Sequence, residues 1–253
     1  MDPLKISAVS YLNTFPFVYG LLESGLLKNF RLDLDIPSVC AEKMQRGEVD
    51  IALVPAGALS EIADYHLISD YCIGAVKNVK TVLLLSHHPL ERLDKIYLDF
   101  DSRTSVELVK VLARYYWNIR PSFENLRPGE ANTLNTTDAL VAIGDKTFAL
   151  RRYYPYVYDL AAEWIQFTGL PFVFAVWVSG KKIPLEITGP FNDSLAWGLD
   201  RKAESLEFFK DKLPACEDCL AYLEENISYK LDEKKQQGLE LFLNYVKQMT
   251  IDK

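Results

Sequence analysis

The stretch from Phe172 to Val178 is apolar at every position, and it constrains the fold more than any other segment. A surface strand alternates apolar and polar residues, so an unbroken run predicts a strand covered on both faces. Such strands lie inside α/β layers, packed from above and below. Ahead of the run stands the corner Thr168-Gly169-Leu170-Pro171, preceded by a Tyr- and Trp-bearing stretch, Tyr158–Trp164, that predicts a helical turn. Ligands in open α/β sheets bind at strand ends, which makes Thr168 and Gly169 candidate contacts. A plain helix-to-strand corner has the same composition, so both uses stay open at this point.

Around that strand the chain predicts two sets of strands and helices. Lys5–Val9 is a first strand, and a helix begins near Phe15 and Pro16, where the proline's missing N–H costs nothing. Leu32–Ile36 alternates as a second strand. Val39–Arg46 is a helix closed by Gly47, and Asp50–Pro55 is a third, buried strand. This opening predicts a parallel sheet. The second set is Val82–Leu85, Ile96–Asp99, a helix over Val106–Trp117, the strand and turn Val141–Asp145, and a helix over Lys146–Arg152. The tail predicts amphipathic helices over Phe191–Lys210, Cys216–Asn226, Leu231–Gly238 and Leu239–Lys247. The expected architecture is two α/β lobes, residues 1–88 with 178–253 and residues 89–177, with a ligand cleft and hinge between them.

The chain has 253 residues, of which 49% are hydrophobic, enough to build a sizeable core. A net charge of −7 without a basic run excludes nucleic acid as an expected partner. Met1–Ile6 leads straight into a strand without the charged and apolar regions of a leader. No apolar stretch approaches the roughly 20 residues of a membrane span, so the expectation is a cytoplasmic protein with no membrane partner. Cys216 and Cys219 have zinc or redox spacing but no second pair or nearby His, and His66, His87 and His88 are not spaced as ligands on one helix face. No metal and no cofactor are expected.

Several strand-end segments together are similar to one family. Ser10–Thr14, Asp50–Pro55, Ser102–Ser105, Gly144-Asp145 and Tyr158–Leu160 with Trp164 and Thr168–Pro171 resemble, in order, the chorismate dehydratases of the futalosine route to menaquinone. The resemblance runs from about residue 5 to 180 and implies a two-lobed type II periplasmic-binding-protein-like fold. It implies conversion of chorismate, a dicarboxylate, to 3-[(1-carboxyvinyl)oxy]benzoate and water. The related enzyme that cleaves cyclic dehypoxanthine futalosine, and a non-enzymatic protein binding a small carboxylate, are the alternatives. The family's Ser-Val pair at the hinge strand is Thr81-Val82 here, which keeps a hydroxyl.

The candidate site follows from what such a substrate needs. Charge building up in a ring conjugated to a carboxylate is stabilised by preorganised donors. Ser102, Arg103, Thr104 and Ser105 lie between a strand end and a helix start, where N–H groups and the helix dipole favour an anion. Arg103 has the fork for a bidentate carboxylate pair, though a helix cap beside a solvated Arg would look the same. Asn13 is a candidate catalytic donor or an N-cap. Asp145 is a candidate base, or a cap of the next helix. Ser10, Tyr11, Pro55, Ala56, Thr81 and Gly144 complete the expected substrate contacts. No Ser–His pair or Gly-rich phosphate loop is present. The enolpyruvyl carboxylate of chorismate, tethered beside the ring C–H, is the rival to Asp145 as base.

Overall fold

In the computed structural model, which describes residues 2–99, 102–126 and 139–251, the apolar run lies inside a six-stranded sheet. The chain begins with β1 (Leu4–Val9), α1 (Phe15–Glu23), β2 (Phe30–Asp35), α2 (Pro37–Gln45) and β3 (Ile51–Pro55). As expected of this opening, β1 runs parallel to both β2 and β3. β4 (His66–Ala75) follows. Then come β5 (Val82–Ser86), β6 (Lys95–Asp99), α3 (Arg103–Tyr115), β7 (Ser122–Leu126), β8 (Ala139–Ile143), α4 (Thr147–Leu150) and β9 (Tyr156–Asp159). α5 (Leu160–Thr168) leads into β10 (Phe172–Ser179), and α6 (Leu185–Leu199), α7 (Lys202–Phe208), α8 (Cys219–Ala221), β11 (Ser228–Lys230) and α9 (Glu233–Ile251) complete the chain.

The first sheet has the order β11-β4-β10-β3-β1-β2 and the second β7-β6-β8-β5-β9. Each is the floor of one lobe. β10 is antiparallel to β3 and β4 and buried at all eight positions. Only a central place in the larger sheet covers both its faces, which is why it belongs there and not with the second lobe. β5 pairs antiparallel with β8 and β9. A boundary at residues 88/89 and 177/178 would give β5 to the first lobe and most of β10 to the second. Strand pairing does the opposite, and the chain crosses between lobes over residues 76–81 and 160–171.

Three local expectations change for physical reasons. Tyr158 and Asp159 end a strand, not a helical turn, and Asp159 caps α5 by accepting the Ala161 and Ala162 N–H groups at 3.1 Å. β4 is absent from the sequence-based expectation because its first half is only half-buried and carries Asp70. The charge-rich and apolar tail segments from residue 233 onward form one continuous helix, α9.

The core is continuous through both lobes. Trp177 packs edge-on against Phe17 and Phe191, and Trp164 against Phe172 and Phe242. Burying side chains of this size contributes roughly 1.5–3 kcal/mol each. β5 shows the layer logic within one strand: Leu84 faces this main core, while Leu83 and Leu85 join Leu126, Leu140 and Ala142 on the sheet's other face.

Candidate active site

The C-terminal ends of β1 and β3, the hinge before β5, the end of β8 and the start of α3 converge on one pocket of about 60 Å³ between the lobes. Small-molecule pockets usually hold roughly 300–1,000 Å³, so this one is narrow, with its walls drawn together. Tyr11, Asn13, Pro55, Thr81, Ser102, Thr104, Ser105 and Gly144 line it, joined by Val79, Phe174 and others. Ser10, Ala56, Arg103, Asp145, Thr168 and Gly169 are not part of the lining. Ser10 is exposed and Ala56 is buried just past Pro55.

Each wall has a local cause. After β1, a 3-10 turn over Leu12–Thr14 carries Asn13 toward the pocket and passes directly into α1, with a proline in its first turn. The Thr14 hydroxyl donates to the Asn13 amide oxygen at 3.1 Å, and the Tyr229 hydroxyl donates to the Asn13 carbonyl at 3.0 Å. Gly144 has φ +68°, and a Cβ there would stand 2.9 Å from the Tyr11 ring. Only glycine allows both that left-handed turn and that approach across the cleft.

Thr81 sits on a strained hinge. Lys80 adopts φ +65°, uncommon for a residue with a side chain. Asp159 holds this conformation by accepting the Val79 and Lys80 N–H groups at 3.1 and 2.7 Å, besides the two at the start of α5. Burial pushes the Asp159 carboxyl up, and those backbone donors oppose it. The Asn226 amide donates to the Asn78 carbonyl at 3.0 Å. The Thr81 and Tyr222 hydroxyls lie 2.8 Å apart, both fully buried.

The α3 start is built as a cap and a bridge. The Ser105 N–H donates to the Ser102 hydroxyl at 3.0 Å, fixing the helix N-terminus at the pocket wall. Thr104 accepts from the Gly57 N–H at 3.1 Å and donates to the Phe174 carbonyl at 3.0 Å, so its one proton is spent between lobes. That carbonyl is available because the β10–β4 register slips at Phe174, releasing it from the ladder. Gly57 tolerates the contact because a Cβ would lie 2.7 Å from the Arg103 carbonyl.

The two charged candidates also face protein. Arg103 pairs with Glu61 at 3.1 and 3.2 Å, with both side chains about two-fifths exposed at the rim. Asp145 accepts the Leu12 N–H, its oxygens at 3.3 and 3.2 Å. Burial raises its pKa to about 6, against the lowering effect of that N–H. Thr168 and Gly169 close α5: the Thr168 hydroxyl donates to the Trp164 carbonyl and accepts from Leu170, and Gly169 takes φ +73°. Sequence reasoning missed Tyr222 and Tyr229, which lie in a tail without a motif. Asp159, by contrast, stood inside a noted segment, but its hinge partners are some eighty residues away.

Among the described residues no cluster of three or more His, Cys, Asp or Glu side chains could hold a metal. Cys216 and Cys219 are half-buried neighbours, and burial together with Cys216 pushes the Cys219 thiol up to about 12. No described helix is long and apolar enough to cross a membrane.

Fold and site together define a two-lobed, periplasmic-binding-protein-like chain with a largely apolar pocket at the cleft, set with hydroxyl and amide groups. The periplasmic aliphatic sulphonate binding protein of Escherichia coli shares this fold at 15% identity and TM-score 0.62, over 96% of this chain and 87% of that one. A protein from Archaeoglobus fulgidus matches at 12% identity and TM-score 0.75, over 98% of both chains. A family model described as menaquinone biosynthesis matches residues 4–248, and the chain belongs to that family. The chorismate dehydratase of Thermus thermophilus is 27% identical, over 96% of this chain and 94% of its own.

Proposed function

We propose that this chain is a chorismate dehydratase, a carbon–oxygen lyase that converts chorismate to 3-[(1-carboxyvinyl)oxy]benzoate and water in menaquinone biosynthesis. The family and the Thermus thermophilus relative support the reaction. The observation that carries the chemistry is the lining itself: among the described residues it sets amide, hydroxyl and backbone donors in an apolar wall, with no carboxylate and no histidine. Neutral donors suit a substrate that arrives with two negative charges and its own base. The enolpyruvyl carboxylate takes the adjacent ring proton, the neighbouring C–O bond breaks, and hydroxide leaves with a proton as water while the ring becomes aromatic. Tethering that carboxylate contributes several kcal/mol through orientation. Asn13 and Thr81 stabilise the departing oxygen, and the Ser102–Ser105 turn at the α3 N-terminus holds a carboxylate.

The test is to mix purified protein with chorismate and follow the ultraviolet spectrum and product mass. An aromatic product lighter than chorismate by one water supports the proposal. Unchanged chorismate with folded protein in excess would reject it.

A further inference from the structure

The tail beyond β10 backs the pocket with two buried tyrosines, Tyr229 on the Asn13 carbonyl and Tyr222 on the Thr81 hydroxyl. Tyr222 begins a five-residue π-helical turn, Tyr222–Asn226, and its ring packs edge-on against Phe148 at 5.2 Å between centroids. Its hydroxyl lies 2.8 Å from that of Thr81, and the Asn13 side chain is near enough to act on it electrostatically. Thus one phenol is hydrogen-bonded to Thr81 at the hinge and stands beside Asn13 of the first lobe, the two donors to which the dehydration is assigned.

Counting protons gives this cluster a direction. The Asn13 amide oxygen accepts from the Thr14 hydroxyl at 3.1 Å, so the amide nitrogen is the group left to face Tyr222. Among the described residues Thr81 is the one hydrogen-bond partner of the buried phenol, so the phenol's single proton goes to Thr81. Complete burial keeps that phenol protonated by raising its pKa. Thr81 lines the pocket, and among the described residues its hydroxyl has no other partner.

We propose that Tyr222 is a positioning residue that orients the Thr81 hydroxyl, so that Thr81 presents its proton, and not its lone pairs, to the bound substrate. This deepens the dehydratase proposal and rests on it. The Asn13 amide behind the phenol favours the same sense, with Tyr222 donating to Thr81. Removing the phenol frees Thr81 to rotate and to offer an oxygen where the leaving hydroxyl needs a donor.

Two measurements test this. In the first, Tyr222→Phe keeps the ring and lowers kcat about tenfold to a hundredfold, with KM changed less than about threefold. In a Thr81→Val background the same change then costs nothing further, because the group it orients is gone. Parental kcat in Tyr222→Phe, or losses that add across the two sites, would overturn the assignment. The second measurement needs no turnover: in protein with ring-labelled tyrosine, the Tyr222 Cζ resonance moves on Thr81→Val, since the phenol loses its acceptor. An unmoved resonance would overturn the relay even if Tyr222→Phe failed to fold. Parental protein inert toward chorismate with a shifted resonance would reject the dehydratase proposal and Tyr222's part in catalysis, leaving only the hydrogen-bond relay.

Discussion

The Leu12 N–H donates across the cleft to the carboxylate of Asp145, with the two oxygens at 3.3 and 3.2 Å. Leu12 precedes Asn13, so this contact fixes the Asn13 loop of one lobe against the other. In the proposed mechanism Asp145 fastens the two lobes, and the base is the substrate's own carboxylate. Asp145→Asn keeps an accepting oxygen and removes basicity. It should lower kcat by no more than about tenfold to a hundredfold. A fall of about four decades in folded, substrate-binding protein would make Asp145 the base.

The same residue gives a stability prediction. Burial raises Asp145 from 3.8 to about 6, so between those values the folded chain holds a proton that the unfolded chain has released. Its contribution to stability is most favourable at the acid end and declines as pH rises through 6. At about 1.4 kcal/mol per pH unit, the ionised form costs roughly 3 kcal/mol at neutral pH. Asp145→Asn should then be more stable than the parent near neutrality, by up to about that amount, with the gap closing near pH 4. Urea midpoints across this range check it, and a variant less stable at every pH would contradict the burial argument.

Arg103 and Glu61 meet at the rim of the same cleft, each about two-fifths exposed. An ion pair this wet is worth about 0–1 kcal/mol. Arg103→Ala and Glu61→Gln should raise KM similarly and modestly, by less than about fivefold, with the double variant no worse than either. Steady-state kinetics decide the matter. A far larger KM effect for Arg103→Ala alone would return Arg103 to the substrate as a carboxylate clamp.

The Asn13 side chain accepts from the Thr14 hydroxyl and lines the pocket. Asn13→Asp removes the amide donor and adds a negative charge beside an anionic substrate, so it should be more damaging than Asn13→Ser. Turnover of both variants checks the order. Normal turnover by Asn13→Asp would remove Asn13 from the reaction.

What was legible in the sequence depended on where the cause lay. Phe172–Val178 declared its burial residue by residue, and the motifs ending in Asn13, Pro55 and Gly144 lie at strand ends that local patterns reveal. Thr81 was visible through the resemblance, which places a hydroxyl at the start of the hinge strand. The lobe boundary was not, because pairing partners for β5 and β10 lie far along the chain and periodicity does not name them. Arg103 and Thr104 looked like ligand donors because a sequence does not show that Glu61 and Phe174 already engage them. Tyr222 was illegible for the same reason: its meaning comes from Thr81 and Asn13, well over a hundred residues away.

The central claim is that dehydration proceeds in a pocket whose donors are neutral and whose base is the substrate's own carboxylate. Single-turnover conversion of chorismate by excess protein, followed from about pH 5 to about pH 8, tests it most directly. An ordinary carboxylate is ionised throughout that range, so the aromatic product should form at rates that agree within about threefold. A tenfold or greater loss centred near the Asp145 value of about 6, or no aromatic product at any pH, would contradict the account.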